Sequence, residues 1–228
     1  SSVDTVIHCA AIAHGEKPRK NYSTADFNTL ISNNILNAFD SRQLRWIFMS
    51  SISVYGEVHL ESSIPLTLLP KPADSYGVGK LRDEDLFISN CSHISILRLM
   101  PVYDSQNLQD IKKRAFLPNT KVKIMIRPAP LYSLCNVDEV LIAVKKCMNY
   151  GSGQRIIQVG DPQPISQNEL VSWFSGRAIP VPQLLFRVLV FLLPKRLLLF
   201  RTIGFMLKKL GYNNIYKIGC IELKSKKI

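Results

Sequence analysis

Tyr76 and Lys80, in the segment Ser75-Tyr-Gly-Val-Gly-Lys80, are the side chains whose types and spacing point most directly to chemistry. At i and i+4 they share one face of a helix, one turn apart. An ammonium held beside a phenol favours the phenolate and brings a group of ordinary pKa ~10 closer to working pH. Tyr76 is thereby a candidate general acid/base for moving a proton on or off a hydroxyl. An amphipathic helix with an exposed Tyr and Lys would read the same way, and the flanking segments are what discriminate. About 25 residues upstream, Met49-Ser-Ser-Ile-Ser-Val-Tyr-Gly56 ends a β-type run in hydroxyls and a glycine. Earlier still, Val3-Asp-Thr-Val-Ile-His-Cys-Ala-Ala11 closes a short branched apolar run on small residues.

The elements that must position these groups alternate along the chain. Val3–Cys9 has the composition of a buried parallel strand. Ser23-Thr-Ala-Asp26 starts a helix whose apolar residues, from Phe27 and Leu30 to Ile35 and Phe39, follow helical spacing. Trp46–Ser50 is the next strand, and Glu57–Ser75, with Pro65, Pro70 and Pro72, is a loop leading to the Tyr76 helix. That helix runs to about Asn90 and is followed by a strand over Ile94–Leu99. Pro101–Pro130 lies mostly outside the sheet. Asn136 with Glu139, and Ser166 with Glu169, cap two further helices around a strand at Arg155–Val159. Such βαβ alternation without hairpin signals predicts an α/β fold with a parallel, doubly wound sheet.

The order and spacing of these motifs resemble the extended short-chain dehydrogenase/reductase family, in its nucleotide-sugar epimerase/dehydratase branch. Asn28-Thr-Leu-Ile-Ser-Asn-Asn-Ile-Leu-Asn-Ala38 matches that family's Asn-x-x-Gly-Thr-x-Asn-Leu-Leu-x-Ala helix at Asn28, Asn34 and Ala38, with Ile31 in place of the glycine. Ser-Ser-x-x-Val-Tyr-Gly and Tyr-x-x-x-Lys follow in register, then Ile96-Leu-Arg-Leu99 and Asn136-Val-Asp-Glu-Val140. The family's opening Gly-x-x-Gly-x-x-Gly, whose amides hold the dinucleotide pyrophosphate, is not in this sequence. By the resemblance, the chain opens at the fourth strand and roughly 60–70 residues, two βα units, are expected before it. It also ends before the family's closing Leu-Gly-Trp-x-Pro.

The resemblance implies a partial Rossmann-like domain over 1–100 and 136–160, with a small, mostly helical substrate lobe over 101–135 and 161–228. It makes Tyr76 the acid/base, with Lys80 lowering its pKa and binding the nicotinamide ribose. Ser51 takes the place of the catalytic hydroxyl, beside Ser50 and Ser53 as alternatives. Ala10 and Ala11 let the cofactor approach the strand end, Asn28 supports that loop, and Arg127 is a candidate for the substrate diphosphate. Each has a plainer reading: helix packing for the alanines, a polar helix position for Asn28 and a surface cation for Arg127. NAD is favoured over NADP. Dehydratases of the family carry Asp-Glu directly after the Ser/Thr, where this chain has Ile52-Ser53. The implied function is a nucleoside-diphosphate-sugar 4-epimerase of surface-polysaccharide biosynthesis. A 4-ketoreductase and a non-catalytic dinucleotide-binding protein stay open. A second departure is Val102-Tyr-Asp104, where the family prefers Val-Tyr-Gly-Pro.

The net charge of +12 falls heavily in the last third of the chain. No nucleic-acid motif accompanies it. A solvated basic face, an anionic substrate and the inner membrane surface remain as its uses, within a cytoplasmic setting. Peripheral membrane contact and a homodimer stay open as partners. Five scattered cysteines and four histidines show no metal-ligand spacing, so neither zinc nor a disulfide framework is expected. Leu184–Phe200, broken by Pro194, is expected to form two short helices packed into the substrate lobe, with an interfacial amphipathic element as the competing reading.

Overall fold

The computed structural model describes residues 3–12, 22–39, 43–58, 63–192, 203–204, 207–208 and 210–223. Strand β1 (Thr5–His8) leads to helix α1 (Thr24–Ala38), where the Ser23 hydroxyl accepts from the Asp26 amide and caps the first turn. β2 (Arg45–Ser51) runs into a 3-10 turn over Ile52–Tyr55. α2 (Ser75–Asn90) begins at Asp74, whose carboxylate accepts from the Gly77 amide at 2.7 Å. β3 (His93–Leu99), β4 (Val102–Tyr103) and the single turn α3 (Gln109–Lys112) follow. Then come β5 (Lys123–Arg127), β6 (Leu131–Tyr132), β7 (Cys135–Asn136) and α4 (Val137–Asn149), which Asn136 caps. β8 (Gln154–Val159), β9 (Ile165–Ser166), α5 (Gln167–Ser172), β10 (Ala178–Pro182), α6 (Gln183–Leu192) and β11 (Gly219–Leu223) complete the order.

Five strands form the main sheet in the order β1-β2-β3-β8-β11, the first four parallel. Successive residues of β2 point to opposite faces, and both faces are covered. Trp46 and Phe48 pack with Phe87, Ile94 and Ile96 beneath α1 and α2, whereas Ile47 packs with Leu97, Ala143 and Cys147 on the α4 side. Burying side chains such as Phe48 and Phe87 contributes roughly 1.5–3 kcal/mol each. This two-sided core fixes the C-terminal ends of β1 and β2, and those ends carry Ala10, Ala11 and Ser51.

Two expectations change. Gly219–Leu223 was placed with the lobe, yet it pairs antiparallel with β8 along the main-sheet edge, Ile221 opposite Ile156. Tyr216, just before it, borders the same cavity as Ser51 and Leu99 at the C-terminal ends of β2 and β3, so the chain enters from that end and its direction is reversed. Pro101–Pro130 does stay outside the main sheet, and its β5 pairs with β10. Pro180 and Pro182 keep β10 at an edge, because proline has no ladder donor. α6, described over Gln183–Leu192, does not pack its leucines inside: Leu184, Leu185, Leu189 and Leu192 are all exposed. Pro194 and the second expected helix lie outside the described residues. No described helix is long and apolar enough to cross a membrane.

Candidate active site

Ser51 ends β2 and turns the chain, its Oγ accepting from the Ser53 amide at 3.1 Å and donating to Ser53 Oγ at 3.1 Å. α2 comes down onto this turn because Tyr76 is flanked by small residues. A Cβ on Gly77 would sit 2.5 Å from the Ser53 carbonyl oxygen, and one on Gly79 would sit 2.9 Å from Ala25 Cα of α1. Glycine inside a helix costs about 1 kcal/mol against alanine. Here it permits two close approaches at once, which set the Tyr76 ring against the Ser51 turn.

The Ser51 side chain is close enough to Tyr76 to act on its phenol. Both line a cavity of about 220 Å3, with Met100, Asp110, Lys113 and Arg114 on its other walls. Burial raises the Tyr76 pKa above the ordinary phenol value; Asp110 and Asp74 raise it further, and the Ser51 side chain opposes them. Lys80 is 3% exposed and donates to the Met49 carbonyl oxygen at 2.7 Å. Its Nζ lies 4.8 Å from the Phe48 ring centroid and 5.9 Å from that of Tyr76. Burial lowers the Lys80 pKa, against the carboxylates of Asp83 and Glu84 and against Cys9. The expected downward pull of Lys80 on the Tyr76 pKa is therefore not what this arrangement gives. The ammonium is turned to the end of β2, and desolvation with two carboxylates governs the phenol.

Beside Lys80 a second polar layer holds α1, α2 and β1 together. His8 Nε2 and Ser32 Oγ are hydrogen-bonded at 3.0 Å, and Thr29 donates to Asp83 at 2.9 Å. Burial and then Lys80 push the His8 pKa down to about 4. Asn28, fully buried, accepts from the Ile12 amide at 2.7 Å and donates to the Ile12 carbonyl at 3.1 Å. That two-way bond fixes the chain just after Ala10, which is exposed, and Ala11, which is half-buried.

Ser51, Tyr76 and Lys80 thus come together, with Ala10, Ala11 and Asn28 at the adjoining strand end. Ser50 also borders the cavity, but its hydroxyl donates to Glu84. Arg127 is not brought in. It is exposed, absent from the cavity wall, and its guanidinium rests against Met125 Sδ at 3.8 Å. The cavity's buried cation is instead Arg114, 6% exposed. Nη1 donates to the Asp110 carbonyl at 3.3 Å, the guanidinium carbon lies 5.6 Å from the Tyr132 ring, and Nε has no partner. Nothing in the sequence marked Arg114. Glu84 and Arg98 could have been found: Glu84 follows Lys80 by one turn, and Arg98 is a charge inside an otherwise apolar strand. Among the described residues, no group of three or more His, Cys, Asp or Glu is placed to hold a metal ion.

Solved structures share this architecture. A UDP-glucuronic acid 4-epimerase from Bacillus cereus, in complex with NAD, superposes with a TM-score of 0.58 at 23% identity, over 78% of this chain and 63% of its own. A UDP-glucose 4-epimerase from Thermotoga maritima, with UDP-glucose, gives 0.59 at 21% identity, over 78% and 64%. RMD from Pseudomonas aeruginosa, complexed with NADPH, gives 0.59 at 22% identity, over 79% and 70%. The chain therefore spans less than two thirds of the length of the first two. No curated protein matches it. At these identities the likeness establishes the fold, a Rossmann-like α/β sheet. The family follows from sequence: the model of the NAD dependent epimerase/dehydratase family matches residues 1–118, just over half of the chain, and includes both the Ser51 turn and the Tyr76–Lys80 helix, so the chain belongs to that family.

Proposed function

We propose that this protein interconverts C4 epimers of a nucleoside-diphosphate sugar by transient oxidation at C4, with NAD as cofactor, in the cytoplasmic synthesis of surface polysaccharide. The observation that carries this reading is the meeting of Ser51 and Tyr76 on the wall of one cavity, with Lys80 a turn away. The similar 4-epimerases, whose structures hold NAD or UDP-glucose, support it.

The residues present fit the nicotinamide end of the cofactor. The Lys80 ammonium has three N–H donors, and Met49 takes one; the others are available to ribose hydroxyls. Ala10 and Ala11 leave backbone open at the strand end, and Asn28 holds that backbone still. No Gly-x-x-Gly-x-x-Gly lies in the sequence to meet the pyrophosphate. The chemistry the cofactor supplies when bound is reversible hydride acceptance at C4.

Tyr76 takes the proton of the C4 hydroxyl as the carbonyl forms and gives it back on re-reduction, the role of a general acid/base. Ser51 donates to the same sugar oxygen and steadies the charge that develops there. Arg114 is a buried guanidinium with a single hydrogen bond, to the Asp110 carbonyl, and burial lowers its pKa against the attraction of the Asp110 carboxylate. It receives an anionic part of the substrate, the part first assigned to Arg127. Ile52 and Ser53 bear no carboxylate for removing a hydroxyl, so elimination is not part of the reaction.

The test is to follow C4 configuration by NMR while the protein acts on UDP-glucose or UDP-glucuronic acid with NAD. Interconversion without net formation of NADH supports the epimerase. Steady consumption of NADH with a 4-keto sugar, and no interconversion, overturns it in favour of a ketoreductase.

A further inference from the structure

α6 presents an apolar stripe to solvent. Only Phe186 and Val190 of its ten residues are buried, while Leu184, Leu185, Leu189, Phe191 and Leu192 are between 51% and 76% exposed. Leu185, Val188, Leu189 and Leu192 recur at helical spacing along one side, and Ile179 in the preceding strand adds a further exposed apolar side chain. A contiguous apolar surface of this kind marks an interaction site.

The charges near it in the sequence are of one sign. Every charged residue between Glu169 and Glu222 is a Lys or an Arg. Arg187, on α6 itself, has its guanidinium carbon 4.9 Å from the Tyr212 ring centroid, which holds a cation at the flank of the stripe. The described residues Gln183–Leu192 of α6 span about 15 Å, half of a bilayer core, and carry Arg187 midway, which suits a helix lying along a surface.

We infer that α6 seats this protein on an anionic lipid surface, its leucines at the acyl boundary and the flanking cations among the headgroups. A second copy of the chain is the poorer occupant. A two-fold interface sets the same patch against itself and would bring two acid-free, cationic segments together. The inference is independent of the proposed reaction, because no α6 residue lines the cavity.

Vesicle flotation tests it. The protein should float with phosphatidylcholine vesicles containing about one third phosphatidylglycerol, remain unbound with phosphatidylcholine alone, and be released as salt screens the headgroups. Leu189→Asp should lower partitioning by about tenfold or more, since one exposed leucine buried at the boundary is worth at least that factor. Leu184→Asp should do the same, with both variants melting like the parent because the sites are exposed. No binding to anionic vesicles at low salt would overturn the inference. So would equal binding to both vesicle types, binding unchanged in both variants, or a dimer that Leu189→Asp dissociates in place of vesicle binding.

Discussion

Glu84 holds Arg98 by both carboxylate oxygens, receiving Nε at Oε1 (3.0 Å) and Nη2 at Oε2 (2.6 Å) in the buried seam between α2 and β3. Ser50 donates to the same carboxylate, and Arg98 Nη1 donates to the Tyr55 hydroxyl at 2.8 Å. Four elements are thereby tied around one ion pair: α2, β2, β3 and the 3-10 turn. Ser51 follows Ser50 on β2, and Tyr76 lies about two turns before Glu84 on α2. Glu84→Gln leaves the guanidinium buried without its counter-charge and should cost roughly 3–5 kcal/mol in urea unfolding. Adding Arg98→Met should recover part of the loss, because an apolar pair needs no desolvated charge. A single variant as stable as the parent would remove the pair from the frame.

Gly77→Ala should displace the Ser51 turn from Tyr76. Its Cβ would meet the Ser53 carbonyl oxygen at 2.5 Å, so helix and turn must separate. Overpacking of this kind costs about 1–3 kcal/mol. The thermal midpoint should fall and turnover should fall further than stability alone requires. A variant with parental midpoint and turnover would show that the close approach is not needed.

The main sheet and the Ser51, Tyr76 and Lys80 positions were legible in the sequence because each has a local signature. Branched apolar runs mark β1 to β3, capping side chains mark α1, α4 and α5, and an i, i+4 pair marks the Tyr76 face. What was not legible depends on residues distant in sequence. Arg114 becomes a cavity residue only when α3 and the loop after it are laid beside the Ser51 turn. Arg127 looked equivalent in sequence and ended in solvent. The raised Tyr76 pKa depends on Asp110, 34 positions away in the chain. Gly219–Leu223 pairs with a strand some sixty residues earlier, and no nearby turn signal announces such an edge.

Lowering pH should destabilise the fold through His8. Its pKa falls from the ordinary 6.5 to about 4 in the folded protein, so between those values the unfolded chain binds the extra proton. The stabilisation is present above pH 6.5 and is lost as pH falls towards 4, up to about 3 kcal/mol. Asp83 acts in the opposite sense, since burial raises its carboxyl pKa and its contribution is lost as pH rises. Comparing the protein with His8→Leu isolates the imidazole. The urea midpoint of the variant should fall less between pH 7 and pH 5, and parallel pH profiles would contradict the assignment.

Arg114→Met should weaken binding of uridine diphosphate by roughly tenfold to a hundredfold, the worth of a charge-assisted hydrogen bond. Stability should hold or rise, because burial disfavours this cation and no salt bridge offsets that cost. Calorimetric titration alongside urea unfolding reads both. Unchanged affinity would return Arg114 to a packing role against Tyr132.

Tyr76→Phe tests the centre of the account. The ring and its packing remain while the hydroxyl beside Ser51 in the cavity is removed. Turnover of the sugar nucleotide in the active enzyme should fall by about 10²–10⁴-fold, the usual loss of a general acid/base, with substrate affinity nearly unchanged. Near-parental turnover by the folded Tyr76→Phe protein would contradict the assignment of proton transfer to this tyrosine.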